Sequence, residues 1–154
     1  KPEKPPAQIV DLERVLNEVL DVVSRDPKWR HDMKVDRQIG KNLTVRAHAD
    51  KLKQAFLNIV INAYQAMETS ENPQFAAKAE VRDQSVVIRF TDTGVGMDEQ
   101  TRKRMFEPFH TTKPKGTGLG LAITLKILEL HNARIFVESE KGRGTSFEIQ
   151  IPLA

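Results

Sequence analysis

The chain has 154 residues, 39% of them hydrophobic and 29% charged, with a net charge of +3, which fits one globular domain with a real core and a charge that reads as surface composition. It has no cysteine, so disulfides, thiolate metal sites and cysteine nucleophiles are excluded. No apolar run approaches the length of a membrane span, the N-terminus is not a signal peptide, and aromatics at 6% interleave no basic run; a cytoplasmic setting, no membrane contact and no nucleic-acid partner are the expectations.

Lys1-Pro2-Glu3-Lys4-Pro5-Pro6 reads as linker. Residues 1–7 are expected to be a linker remnant of a longer protein, and 8–154 a single domain. Ile9, Leu12, Val15, Leu16, Val19, Val22 and Val23 recur at helical spacing and predict an amphipathic helix over 10–24, ended by Asp26-Pro27. Two short strands are expected at 34–39 and 44–48. Asp50 is expected to cap a second helix, with Leu52, Phe56, Ile59, Val60, Ala63 and Met67 inside. Residues 80–82 and 86–90 form a strand pair turned at Asp83-Gln84. A short helix near 98–105 follows. A third full helix is predicted from Gly118 to His131, burying Leu121, Ile123, Leu125, Leu128 and Leu130, with Asn132 as its C-cap. Two final strands, 134–138 and 146–151, turn at Gly142-Arg143-Gly144. The sum is an α/β (α+β) two-layer sandwich, about three helices on one face of a mixed sheet.

Two glycine-rich pieces carry the chemistry, Asp92-Thr93-Gly94-Val95-Gly96-Met97 and Gly116-Thr117-Gly118-Leu119-Gly120-Leu121. Together with the helix before them they describe a pocket for a magnesium nucleotide, with 106–116 as its lid. Asn58 and Asn62 are four apart and share one helix face. An asparagine carbonyl, phosphates and water suit magnesium, although two solvated asparagines are the plainer alternative. Asp92 follows an apolar strand and can accept the amino group of adenine, where guanine presents a carbonyl; Asp-Thr-Gly is also ordinary turn chemistry. The second glycine piece opens a helix whose backbone amides attract phosphate, or it is a flexible lead-in. It matches neither the dinucleotide fingerprint nor the P-loop, because Leu121-Ala122 stand where those need a glycine or a Lys-Ser/Thr pair. His31, His48, His110 and His131 show no metal-ligand spacing; all but His110 read as surface residues.

These residues resemble the catalytic, ATP-binding domain of a bacterial sensor histidine kinase, of the wider group that includes the gyrase, Hsp90 and MutL ATPase domains and shares the Bergerat fold. Asn58-Ile59-Val60-Ile61-Asn62-Ala63 resembles the N box. Asp92–Met97 and Gly116–Leu121 resemble the two glycine boxes, Phe106-Glu107-Pro108-Phe109 the F box, and Gly142-Arg143-Gly144-Thr145-Ser146-Phe147 the terminal Gly-x-Gly-Thr-x-Phe segment. The resemblance runs over nearly the whole chain, and the Asn-Ala-Tyr-Gln-Ala-Met and Phe-His-Thr-Thr-Lys wording is most similar to the nitrogen-regulation type.

The resemblance implies ATP and Mg2+ as ligands. It implies that Asn62 holds magnesium, that Asn58 lies on the phosphate side, and that Lys113 is the cation on phosphate. It implies that Asp92 reads the adenine, with Gly94, Gly96 and Thr145 around it. Phe106 and Phe109 would anchor the lid, and Thr111, Thr112, Gly116, Thr117, Gly118, Leu119 and Gly120 would close over the phosphates. Gln65 stands where many relatives carry a lysine or arginine, three residues after Asn62. No acceptor box is present, since His31-Asp32-Met33-Lys34 has no following proline. The implied partners are therefore a dimerisation and phosphoacceptor domain and, beyond it, a response-regulator receiver domain. The rival readings are an ATPase of the gyrase–Hsp90 kind, a serine kinase, and a non-catalytic nucleotide-binding module. The first two carry a glutamate where Asn58 stands.

Overall fold

The computed structural model describes residues 7–108 and 120–154. Among the described residues the first element is a short strand, β1 (Gln8–Asp11), whose last two residues fall where the sequence pattern predicts the start of a helix. β1 lies antiparallel on β3 (Thr44–Ala47), Ile9 opposite Arg46. Helix α1 (Leu12–Ser24) starts only after it, because Asp11 is extended and its Oδ1 accepts from the Glu13 amide at 3.0 Å. Ile9, which falls in phase with the helical stripe, is instead a strand residue and 56% exposed; Val22 is 63% exposed. The buried stripe of α1 is Leu12, Val15, Leu16, Val19, Leu20 and Val23.

Five strands form the main sheet in the order β2-β4-β5-β7-β6. They are β2 (Lys34–Ile39), β4 (Gln74–Arg82), β5 (Ser85–Asp92), β6 (Arg134–Glu140) and β7 (Gly144–Pro152). The β2–β4 pair is parallel and the other pairs are antiparallel, so the sheet is mixed. β4 begins well before the expected residue 80, at Gln74. The Asp83-Gln84 turn is as expected, both residues having positive φ (51° and 66°), the geometry of a tight hairpin.

Helix α2 (Ala49–Ala66) buries Leu52, Phe56, Ile59, Val60 and Ala63 as expected, and Met67 beyond its end is also buried. Its N-cap position is His48 rather than Asp50, which sits in the first turn. The short α3 (Glu99–Arg104) is capped by Asp98, whose Oδ1 accepts from the Thr101 amide at 2.7 Å. Helix α4 (Gly120–Leu130) is phased differently from expectation. It buries Ala122, Thr124, Ile127 and Leu128, while Ile123 and Leu130 are exposed. Asn132 ends it at φ 55°.

Alternate residues of the sheet, Phe75 and Ala77, Ile88 and Phe90, Phe147 and Ile149, are buried with the inner faces of α1, α2 and α4 in one core. Phe90 stacks on Phe75 with ring centroids 6.1 Å apart and meets Phe56 of α2 edge-on at the same spacing. Truncating such a core phenylalanine costs about 3–5 kcal/mol. The other sheet face is polar, with Arg89 of β5 paired to Glu148 of β7 at 3.1 Å. The sheet edges are β2, with Lys34, Asp36, Arg37 and Gln38 exposed, and β6, with Arg134, Glu138 and Glu140 exposed.

Candidate functional site

Asp92 is the last residue of β5 and is 3% exposed, in an otherwise apolar layer. Strand alternation after Val86, Ile88 and Phe90 turns it to the helix side of the sheet. Its Oδ1 accepts two backbone amides, Gly94 at 2.8 Å and Thr145 at 3.3 Å. Burial pushes the carboxyl up to about 6, against the pull of those two amides. Among the described residues no cation pairs with it. A buried carboxylate held by amides on one oxygen is an acceptor awaiting a donor.

The loop after Asp92 is fixed on both sides. The Val95 amide donates to the Ala66 carbonyl at the end of α2, at 3.0 Å. The Gly142 amide donates to the Val95 carbonyl at 2.7 Å. The Met97 amide donates to Ser139 Oγ at 2.8 Å. These contacts set the glycine requirement. A Cβ on Gly94 would lie 2.5 Å from the Ala66 carbonyl oxygen. Gly96 has φ +66°, and a Cβ there would lie 2.0 Å from the Glu140 oxygen. The freedom of these glycines is thus spent on close backbone packing that holds Asp92's loop in place.

Arg30 secures the other partner of that loop. Its guanidinium donates to the Met67 carbonyl at 3.0 Å and to the Ser70 carbonyl, just past the end of α2. A cation on these last carbonyls also complements the helix dipole.

Asn58, Asn62 and Ala66 follow one another at intervals of one turn on α2, each step about 6 Å along the axis. Asn58 donates through Nδ2 to the Gly120 carbonyl and to Thr124 Oγ1, both at 3.2 Å, at the start of α4. Ala66 touches the first glycine loop. Asn62 therefore stands on α2 between the residue that meets the start of α4 and the residue that meets the first glycine loop, on a half-buried stripe. It has interactions of its own in the fold. Among the described residues no group of three or more histidines or acids is placed to hold a metal.

Thr145, the second residue of β7, pairs with Asp92 and is 6% exposed. Phe106 is half-buried and packs against the core after α3. Gly120 is the first residue of α4. Phe109, Thr111, Thr112, Lys113, Gly116, Thr117, Gly118 and Leu119 lie outside the described residues.

His131 corrects the sequence reading. It is 9% exposed, with Nδ1 bonded to the Ile127 carbonyl at 2.8 Å and Nε2 accepting the His48 amide at 3.1 Å. It ties the end of α4 to the start of α2. Sequence reasoning also misses Ser139. Its signal lies in the hairpin register, because the Gly142–Gly144 turn pairs Ser139 with Thr145.

Residues 47–154 match the family model described as "Histidine kinase-, DNA gyrase B-, and HSP90-like ATPase". The chain is 47% identical over 104 residues to sporulation kinase E of Bacillus subtilis, covering 68% of this chain and 14% of that protein. It is 34% identical over 156 residues to sensor histidine kinase ZraS of Escherichia coli K12, covering 99% and 32%. The chain thus spans about a third or less of these relatives' length. Among solved structures, full-length ShkA in complex with AMPPNP matches with a TM-score of 0.82 at 27% identity, over 99% of this chain and 32% of that one.

Proposed function

This chain belongs to the family of histidine kinase-, DNA gyrase B- and HSP90-like ATPases, and from that premise we propose that it binds Mg-ATP for transfer of the γ-phosphoryl group to a histidine. Its fold is the Bergerat fold, and binding of a nucleotide goes with the family. The acceptor histidine would lie on a dimerisation and phosphoacceptor domain of the same kinase. A response-regulator receiver domain would take the phosphoryl group next. The observation that carries the reading is the buried Asp92 carboxylate, without a cationic partner among the described residues and set between a pinned glycine loop and Thr145.

The residues divide the work. Asp92 accepts the adenine amino group, and Gly94 and Gly96 hold the loop against it. Asn62 supplies an oxygen to Mg2+, and Asn58 holds the start of α4 on the phosphate side. Lys113, Thr111, Thr112, Gly116, Thr117, Gly118, Leu119 and Gly120 contact the phosphates, with Phe106 and Phe109 anchoring that segment. Phosphoryl transfer needs positioning and charge neutralisation more than covalent help, and an imidazole acceptor is itself a nucleophile. No described helix is long and apolar enough to cross a membrane; a cytoplasmic setting, where ATP is available, fits the role. Residues 1–7 serve as linker to the rest of the kinase.

The test mixes the chain with labelled ATP and candidate dimerisation domains. Acid-labile phosphate should appear on the added domain only, and Asn62→Ala should abolish it. Acid-labile phosphate on His31 or His110 of the chain alone would overturn the reading.

A further inference from the structure

We propose that Ser139 is a positioning residue for base selection, directing the hydroxyl proton of Thr145 toward the purine ring beside Asp92. The inference rests on the adenine-reading role of Asp92 proposed above.

Asp92, Thr145 and Ser139 occupy one row across three strands: Thr145 is opposite Asp92 on β5 and opposite Ser139 on β6. Adjacent strands are about 4.8 Å apart, so the Asp92 carboxylate and the Thr145 hydroxyl stand side by side on the helix face. Adenine presents along one edge an amino donor and the N1 acceptor. Guanine presents a carbonyl and an N1–H donor. An acceptor at Asp92 with a donor at Thr145 therefore fits adenine and opposes guanine twice.

A threonine hydroxyl is a donor or an acceptor according to where its proton points. Ser139 decides this. Its Oγ accepts the Met97 amide at 2.8 Å and lies 2.8 Å from Thr145 Oγ1 and 3.2 Å from the Gly144 carbonyl. When Ser139 gives its proton to the Gly144 carbonyl, Thr145 gives its own to Ser139 and faces the ligand as an acceptor. When Ser139 gives its proton to Thr145, the Thr145 proton is released toward the ligand. The chain then runs Met97 N–H to Ser139, Ser139 to Thr145, and Thr145 to N1, directly or through one water. Each member polarises the next. The fixed Met97 amide keeps Ser139 in line, so the glycine loop and the base edge are set by one hydroxyl.

Calorimetry of the whole chain tests this with ATP and with 1-deaza-ATP, which has a C–H in place of N1. Ser139→Ala should weaken ATP about 3- to 10-fold, the worth of one hydrogen bond. Ser139→Thr should keep most of the affinity. With 1-deaza-ATP the parent and Ser139→Ala should bind alike. Equal weakening of both nucleotides would make Ser139 a mere support of the loop and overturn the inference, as would no weakening of either. If Ser139→Ala does not fold, Ser139→Cys, a poor donor of similar shape, carries the same comparison. Asp92→Ala run alongside separates the two claims. Unchanged ATP affinity there defeats the Asp92 reading itself, whereas a loss there with an unselective Ser139 effect defeats only the inference.

Discussion

Asp92 and Thr145 face each other across the β5–β7 ladder, and the Thr145 amide donates to the Asp92 carboxylate at 3.3 Å. The same oxygen takes the Gly94 amide. Among the described residues the carboxylate is thereby oriented by backbone amides alone, and no cation there compensates its charge.

That arrangement predicts a pH-dependent cost. The carboxyl titrates near 6 in the folded chain against an ordinary value of 3.8. Between these values the folded state binds more protons than the unfolded one, so stability falls as pH rises through the window. The loss is complete above about pH 6. Asp92→Asn keeps an oxygen for the two amides and removes the charge. It should stabilise the protein by up to about 3 kcal/mol at pH 8 and by little at pH 4. Urea unfolding of both proteins at the two values checks the difference.

The same substitution should shift base preference away from adenine. With its oxygen kept by the two backbone amides, the introduced carboxamide would turn its N–H2 toward the base, opposing the adenine amino group and welcoming the carbonyl at position 6 of inosine or guanine. Calorimetry should show ATP weakened roughly ten- to a hundred-fold, on the order of a charged hydrogen bond, with ITP weakened less. In the parent, ATP affinity should fall as pH drops through about 6, because the added proton then faces the base.

Two glycines of positive φ should respond differently to alanine. At Gly96 a Cβ would meet the Glu140 carbonyl oxygen at 2.0 Å, a backbone atom that cannot turn aside. At Gly142, φ +87°, nothing lies within 4 Å. Gly142→Ala should cost about 1–2 kcal/mol of conformational strain. Gly96→Ala should cost more than that and loosen the Asp92 loop. Thermal unfolding of the two variants, with ATP affinity for each that folds, decides.

Turnover of ATP without an acceptor should be slow. An asparagine amide cannot take a proton from water near neutral pH, and the Asn58 amide is occupied with Gly120 and Thr124. General-base help is worth about 10²–10⁴ in rate. Steady-state phosphate release should stay far below about 1 s⁻¹. Asn58→Ala should lower stability by about 0.5–1.5 kcal/mol per hydrogen bond lost, since Thr124 loses the Asn58 donor but keeps its bond to the Gly120 carbonyl, without abolishing a hydrolytic cycle. Release near about 1 s⁻¹ that disappears in Asn58→Ala would make the protein an ATPase instead.

Much of the fold is legible in the sequence where side-chain chemistry and local pattern agree. The α2 stripe from Leu52 to Met67 is readable because polar residues interrupt it on one side. Helix α4 is misphased by its sequence because Gly120–Leu130 is apolar nearly all round, so periodicity leaves its inner face undecided. The first half of β4 escapes because Ala76, Ala77 and Ala79 carry little strand preference; pairing with β2 and β5 imposes it. β1 merges into α1 on paper because Ile9 happens to fall in phase with Leu12. At the candidate site, glycines draw attention to Asp92, and the resemblance of the Gly142–Phe147 segment draws attention to Thr145. Ser139 and Ala66 carry no such mark, since one acts through its place in a ladder and the other through a backbone carbonyl.

Both margins of the main sheet end in charge, Lys34, Asp36 and Arg37 on β2 and Arg134, Glu138 and Glu140 on β6. Open strand margins otherwise invite a second molecule to add its own strand. Here such an addition would bury ions without partners chosen for them. Charge along both margins therefore weighs against edge-to-edge joining of two copies of the sheet, although Val35 and Phe136 on the same strands are exposed as well.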